Sequence, residues 1–313
     1  MRGPRMEGMR QLAIRCAGGA ITLLVTVYAW AGGPGTTGAQ VLRLAVGGRP
    51  VAMGEAFAAL SDITGAFSNP ASLGPVSVPT IAASYNKWYE DVGYGYLGYA
   101  QPVGGVVFAG GVSYLMMDAI PKTTDSPTPV GEFTPTSILV NLTFARVVNS
   151  RITAGGNLKI LHQTLDTESG LGLALDGGGT YRFTETLSAG LVLQNVGPGF
   201  KYGDGEADPL PMNIKAGMAY RVGDATIALD LNQSSDLPLG VNIGGEYVIK
   251  RILALRAGYR MSTGGEDSGG VSAMCAGIGL MAGRIGLDYA FQSGSTLGAT
   301  HWVTLALAMG GGR

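Results

Sequence analysis

Charge is scarce in this chain. Only 14% of its 313 residues are Asp, Glu, Lys or Arg, against about 25% in soluble domains, while 46% are hydrophobic. Long apolar runs are scarce as well. Beyond the first thirty residues, none approaches the roughly 18–20 apolar residues that a membrane helix needs. An apolar, weakly charged chain without such a helix fits a large soluble sandwich or a membrane barrel, and the low charge favours the barrel. Cysteine and histidine are nearly missing. With only Cys16 and Cys275, an intrachain disulfide is excluded once the N-terminus is removed. His162 and His301 are far apart without a zinc-type spacing, so no metal centre is expected. A histidine near a strand end suits a rim position better than a hydrolase, so no enzyme is expected.

What is present at the N-terminus has the form of a secretory signal. Arg2, Arg5, Arg10 and Arg15 precede an apolar core from Ala17 to Trp30, and Ala29-Trp30-Ala31 is a small-x-small cleavage site. Residues 1–31 are therefore expected to be removed, with Thr37-Gly38-Ala39 as a later alternative. Cleavage takes away four arginines and Glu7, so the net charge of −1 becomes −4. That acidic balance disfavours nucleic acid.

Glycine is abundant, at 52 residues, and one cluster imitates a cofactor motif. Gly277-Ile278-Gly279-Leu280-Met281-Ala282 resembles a dinucleotide fingerprint, but Arg284 to Phe291 alternates with period two instead of opening a helix. No cofactor is expected. The same alternation recurs along the chain, as in Ile285-Gly286-Leu287-Asp288-Tyr289-Ala290-Phe291. Period two puts apolar side chains on one strand face and polar or tiny ones on the other.

Fourteen such segments fall near 79–88, 92–102, 104–117, 135–147, 151–165, 173–183, 186–196, 211–222, 224–232, 238–250, 252–262, 269–281, 283–293 and 298–309. Long connections, such as 118–134, 166–172 and 197–210, alternate with very short ones. Outer-membrane barrels have this asymmetry, with short periplasmic turns and longer outer loops. The expected fold is an all-β, 14-stranded antiparallel up-and-down transmembrane β-barrel over 79–309, with both termini periplasmic. Tyrosines and phenylalanines near strand ends suit the aromatic girdles of such barrels.

Charge sorts by end and by face. The long-loop end carries Asp118, Asp125, Asp204, Glu206, Asp208, Glu266 and Asp267 among thirteen acids, against Lys122 and Lys201. Arginines and Lys250 collect at the short turns, so the molecule has an oriented field suited to steering partners. On the polar strand faces lie Asp176, Arg182, Lys215, Asp230, Glu246, Arg256, Arg260 and Asp288. Facing lipid near the midplane, an Arg or Lys would cost about 2–4 kcal/mol, so these residues are expected to form a polar network in the lumen, with ion pairs across it.

Residues 40–78 have a different pattern. Met53, Phe57 and Leu60 recur at helical spacing after Pro50, and Asn69-Pro70 is an N-cap followed by a first-turn proline. One or two short helices are predicted, folded into the lumen as a hatch, with Met53, Gly54, Phe57, Asn69 and Pro70 as its motif residues.

Several blocks resemble the PorV/PorQ family of outer-membrane proteins, whose barrels are similar to the FadL long-chain fatty-acid transporters. They are Ala52-Met53-Gly54-Glu55-Ala56-Phe57-Ala58-Ala59-Leu60-Ser61-Asp62, Asn69-Pro70-Ala71-Ser72-Leu73-Gly74, Leu193-Gln194-Asn195-Val196-Gly197, Leu210-Pro211, Leu255-Arg256-Ala257-Gly258-Tyr259, Asp288-Tyr289-Ala290-Phe291 and Leu297-Gly298-Ala299-Thr300-His301. The resemblance implies a fourteen-stranded barrel with an N-terminal hatch. It also implies a role beside type IX secretion machinery, with exported cargo and outer-membrane lipid or lipopolysaccharide as partners. The alternative is FadL-like transport of a hydrophobic ligand. The terminus Ala308-Met309-Gly310-Gly311-Gly312-Arg313 departs from the aromatic ending usual in barrel proteins.

Overall fold

Alternation becomes architecture in a computed structural model of the chain, which describes residues 33–88, 92–123, 125, 128–264, 272–294 and 298–310. The predicted signal segment and the loop acids Glu266 and Asp267 lie outside the described residues. Fourteen strands close into one antiparallel barrel. They are Thr80–Lys87 (β1), Gly93–Val103 (β2), Val106–Met116 (β3), Thr136–Val147 (β6), Ile152–Leu165 (β7), Glu168–Arg182 (β8) and Leu187–Val196 (β9), then Asn213–Val222 (β10), Ala225–Ser234 (β11), Gly240–Ile249 (β12), Leu253–Ser262 (β13), Ala273–Ala282 (β14), Ile285–Gln292 (β15) and Thr300–Ala308 (β16). The remaining two, Ile120–Lys122 (β4) and Gly131–Phe133 (β5), pair as a small separate hairpin within the connection from β3 to β6.

Each strand turns its apolar set outward. Along β6, Ile138, Leu142 and Phe144 are exposed while Ser137, Leu139, Asn141 and Thr143 are buried inside. Along β11, Ile227 and Leu229 face out while Ala228 and Asp230 face in. A closed barrel leaves no unpaired edge, and its apolar outer band is what a hydrocarbon environment demands.

Two expectations about connections change. The loop expected over 166–172 is a two-residue turn, because β8 begins at Glu168 and pairs with β7 through Leu165↔Glu168. Glycine made that stretch resemble a loop, but Gly170 and Gly172 lie in the strand, where a Cβ would stand 2.6 Å and 2.7 Å from the ring of Phe200. The expected helices are also shorter. Gly48–Ala52 makes a single turn, and 3-10 turns follow at Thr64–Phe67 and Pro70–Leu73. Helix propagation stops at Gly54 and Glu55, whose φ angles are +62° and +59°. Met53, Phe57 and Leu60 are therefore not stacked on one helix; they are buried in an irregular coil.

The segment before β1 threads the barrel from one end to the other. At the long-loop end, Gly38 donates to the carbonyl of Pro209 at 3.0 Å. Val41, Leu42 and Val46 pack inside with Tyr94, Tyr96, Leu139, Leu161, Phe200 and Leu210. The Gly48–Ala52 turn rests on β13 to β16, and the Pro70–Leu73 turn on β6 to β8. Beyond it the chain reaches the short-turn end, where Met309 donates to the carbonyl of Pro79. The first described residues thus lie at the opposite end from Ala308, and the N-terminus itself lies outside the described residues.

Candidate functional site: the hatch and the lumen

Four charged residues stand in the hatch segment, Arg43, Arg49, Glu55 and Asp62, and all four are ion-paired. Arg49 makes a two-bond fork with Glu246, Nε to Oε2 and Nη2 to Oε1, both 2.8 Å. The same arginine reaches Asp62 at 3.3 Å and lies 5.5 Å above the Phe57 ring. Glu55 meets Arg260 at 2.7 Å. Arg43 meets Asp236 at 3.0 Å. Planar guanidinium and carboxylate groups match in such forks, which fix orientation as well as charge. These hatch residues were legible in the sequence as the only charges in an otherwise apolar and small-residue stretch, though the lumen candidates were drawn from the strands alone.

Among the expected lumen residues, Glu246, Arg256 and Asp288 do come together. Arg256 Nε donates to Glu246 at 2.7 Å and its Nη1 to Asp288 at 2.6 Å. Asp176 forms a second centre: it holds Lys159 at 2.8 Å, accepts from Asn157 Nδ2 at 3.2 Å and from the Asn195 backbone at 2.8 Å. Asn195 sits at φ +59° where the β8–β9 register shifts between Leu175 and Gly177, so the carboxylate caps a bulge. Arg182 joins neither centre; it is exposed at the short-turn rim. Lys215 is buried and lines a cavity on β10. The ion pairs expected across the lumen are replaced by pairs between adjacent strands (Lys159–Asp176, Glu246–Arg256), between β13 and β15 (Arg256–Asp288) or between wall and hatch, because the hatch occupies the space between the walls.

Asp230 is nearly fully buried and binds the hatch backbone. Its Oδ2 accepts from the N–H of Phe57 at 2.7 Å and of Ala58 at 2.8 Å. The carbonyl of Ala58 accepts from Asn69 Nδ2 at 2.6 Å, and Asn69 Oδ1 caps the next turn by accepting from Ala71 N–H at 3.0 Å. The motif residues therefore hold one another: Phe57 and Asn69 meet at the Ala58 peptide, with Pro70 buried beside them. Gly54 approaches the wall so closely that a Cβ would lie 2.8 Å from both the Ile243 carbonyl and the Tyr259 nitrogen.

At the long-loop end, Asp236 anchors the entering chain. Its carboxylate accepts from Thr37 Oγ1 at 2.6 Å, Gln40 Nε2 at 3.1 Å and Ser234 Oγ at 2.6 Å, besides Arg43. Burial pushes its pKa up, but the hydrogen bonds from Ser234 and Thr37 and the charge of Arg43 outweigh that and hold it below the usual carboxylate range. Asp118, Asp125, Asp204, Glu206 and Asp208 are exposed at this end and do not converge on one site. Asp166 there pairs with Lys122 of the small hairpin.

Two cavities flank the hatch. One of about 210 Å³ lies toward the long-loop end, between Arg43, Glu55, Lys215, Asn232, Asn242 and Arg260. The other, about 480 Å³, lies toward the short turns, between Leu60, Arg182, Ser188, Ala219, Arg221 and Thr226.

Solved structures with this fold include the toluene transporter TbuX of Ralstonia pickettii, with a TM-score of 0.60 at 13% identity over 84% of this chain and 97% of that one. The toluene transporter TodX of Pseudomonas putida gives 0.62 at 11% identity, covering 82% and 95%. A Pseudomonas aeruginosa FadL homologue gives 0.51 at 11% identity, covering 80% and 94%. At such identities the likeness is one of fold: a closed antiparallel barrel of the FadL-like kind. No protein-family model and no curated protein sequence matches the chain.

Proposed function

We propose that this chain is an integral outer-membrane barrel that conducts small molecules, closed at rest by its own N-terminal segment. The observation that carries the reading is the pair of cavities opening toward opposite ends, with the hatch coil between them. The FadL-like fold and the outward apolar band support it. The long-loop end is then the outer face and the short turns are periplasmic. The barrel neighbours transport toluene or conduct monoaromatic hydrocarbons, which makes an apolar or weakly polar small molecule the first class to try. Binding would be non-enzymatic and would need no cofactor.

Proteoliposome swelling tests this. Vesicles carrying the full barrel should swell slowly in small solutes, and vesicles carrying a barrel without residues 33–78 should swell fast. Equal, slow swelling of both, with the shortened barrel folded, would overturn the conduit.

A second reading rests on the resemblance to the PorV/PorQ family and on the exposed acids Asp204, Glu206 and Asp208. It makes the outer loops a docking surface for secretion proteins and exported cargo. Deleting 198–208 should then misplace exported proteins, and correct placement without that loop would remove this reading.

A further inference from the structure

The wall leaves no sideways exit among the described residues. Every neighbouring strand pair is hydrogen-bonded in register, save the β8–β9 bulge that Asp176, Lys159 and Asn195 fill. A solute that enters the barrel must therefore pass the hatch along the barrel axis. The thinnest part of that barrier lies along β9, β10 and β11. On β10, Lys215 lines the outer cavity and Ala219 the periplasmic one, a separation of four residues or about 13 Å. Likewise Asn232 and Thr226 of β11 belong to opposite cavities. Between them the wall presents Gly217, Ala228 and Asp230, and the hatch presents Ala56, Phe57 and Ala58, all three fully buried.

This barrier is held by few bonds. The Ala58 peptide lies flush on two glycines: a Cβ at Gly190 would stand 2.0 Å from the Ala58 carbonyl oxygen, and one at Gly217 would stand 3.0 Å from the Ala58 Cβ. The barrier's polar grip on this wall is the Asp230 carboxylate, through Phe57 and Ala58 N–H, with Ser188 Oγ donating to the Ala59 carbonyl at 3.3 Å and Gln194 Nε2 to the Phe67 carbonyl at 2.7 Å. The other Asp230 oxygen has no hydrogen-bond partner.

Polar groups line the approach on both sides, with Asn213, Lys215 and Asn232 above and Ser188, Arg221 and Thr226 below. The apolar part of the outer lumen is instead filled by Val41, Leu42 and Val46 of the chain itself.

We propose that small polar solutes, with anions favoured, move axially along the β9–β11 wall, and that Asp230 is the positioning residue that keeps this path shut. The proposal rests on the conduit reading and replaces its hydrocarbon with a hydrophilic solute. A carboxylate that holds two backbone N–H groups fixes the coil against the wall. With the Asp230 carboxylate removed, the fixed charges of β9–β11 that line the two cavities are Lys215 and Arg221, which attract anions.

The test is planar-bilayer conductance in KCl, with proteoliposome swelling in arabinose and uptake of toluene measured on the same proteins. Asp230→Ala should raise conductance at least tenfold, with a reversal potential favouring chloride, and should admit arabinose. Asp230→Asn, which keeps one acceptor and the side-chain volume, should open less and serves if the alanine variant does not fold. Asn157→Ala, in the wall centre away from the barrier, should stay closed. If both Asp230 variants stay closed while the barrel lacking 33–78 conducts, the path and latch are wrong and the conduit stands. If the shortened barrel is silent as well, the conduit reading itself fails. An open Asp230 variant that admits toluene but excludes arabinose would overturn the polar solute, and equal opening in Asn157→Ala would overturn the role of Asp230.

Discussion

Arg49 of the hatch and Glu246 of β12 share two parallel hydrogen bonds of 2.8 Å inside the barrel, and Arg256 of β13 donates to the same carboxylate at 2.7 Å. Glu246 is thus the joint between the hatch and two wall strands. Glu246→Ala leaves two buried guanidinium groups sharing Asp62 and Asp288. Breaking a buried pair from one side typically costs about 3–5 kcal/mol, and the remaining acids put this case at about 3 kcal/mol. Urea unfolding in lipid vesicles would show that loss, whereas Glu246→Gln, which keeps one acceptor oxygen, should lose less.

Gly54 and Gly223 separate two reasons for glycine. Both have positive φ, +62° and +58°. A Cβ at Gly223 meets nothing within 4 Å, while one at Gly54 meets backbone atoms of β12 and β13. Gly223→Ala should cost only the left-handed penalty, about 1–2 kcal/mol. Gly54→Ala adds overpacking of about 1–3 kcal/mol and should dislodge the hatch, seen as faster proteolysis between Gly48 and Leu73. Equal effects of the two substitutions would contradict the close packing of hatch on wall.

The Asp236 anchor gives a pH dependence with a definite sign. Its folded pKa lies below the usual carboxylate value, which is ~3.9 in an unfolded chain. The stability it contributes is therefore complete above that value and is lost as pH falls through the depressed folded one. Amide exchange at residues 37–43 should stay slow at neutral pH and rise in strongly acidic buffer. Asp236→Asn should exchange fast at every pH.

The outward face predicts an asymmetry between neighbours on β11. Leu229 is exposed on the barrel exterior, and Thr226 lines the cavity at the short-turn end. Leu229→Arg should destabilise the barrel in bilayers by about 2–4 kcal/mol. Thr226→Arg places its charge in a cavity instead of in lipid, so it should cost less, the penalty being overpacking of a buried site. Unfolding midpoints in vesicles compare them directly.

Strands were legible in this sequence because period-two alternation is set locally, by the pleat. Ile285 to Phe291 shows it, and its strand lies where the alternation puts it. The start of β8 was hidden because Gly170 and Gly172 are small for a tertiary reason, the Phe200 ring, which no local pattern reveals. The hairpin β4–β5 was hidden because three-residue strands carry too little alternation to register. In the hatch, the helical spacing of Met53, Phe57 and Leu60 reflected burial on several sides, not one helical face. Strand parity puts Asp230 and Glu246 on the polar face, and both are buried, but their partners, Ala58 and Arg49, lie about 170 to 200 positions earlier. Such pairings are fixed by barrel closure, and a single sequence does not display them.

The central claim is that the hatch alone separates the two cavities. Cysteine accessibility tests it most directly, in oriented vesicles and a background with Cys16 and Cys275 replaced by serine. Ser262→Cys, on the outer cavity, and Thr226→Cys, on the periplasmic one, are treated with a membrane-impermeant maleimide from either side. The account predicts that Ser262→Cys reacts only from outside and Thr226→Cys only from inside, and that both react from both sides once residues 33–78 are removed. Labelling of Thr226→Cys from outside in the intact barrel, or one-sided labelling that survives removal of the hatch, would contradict it.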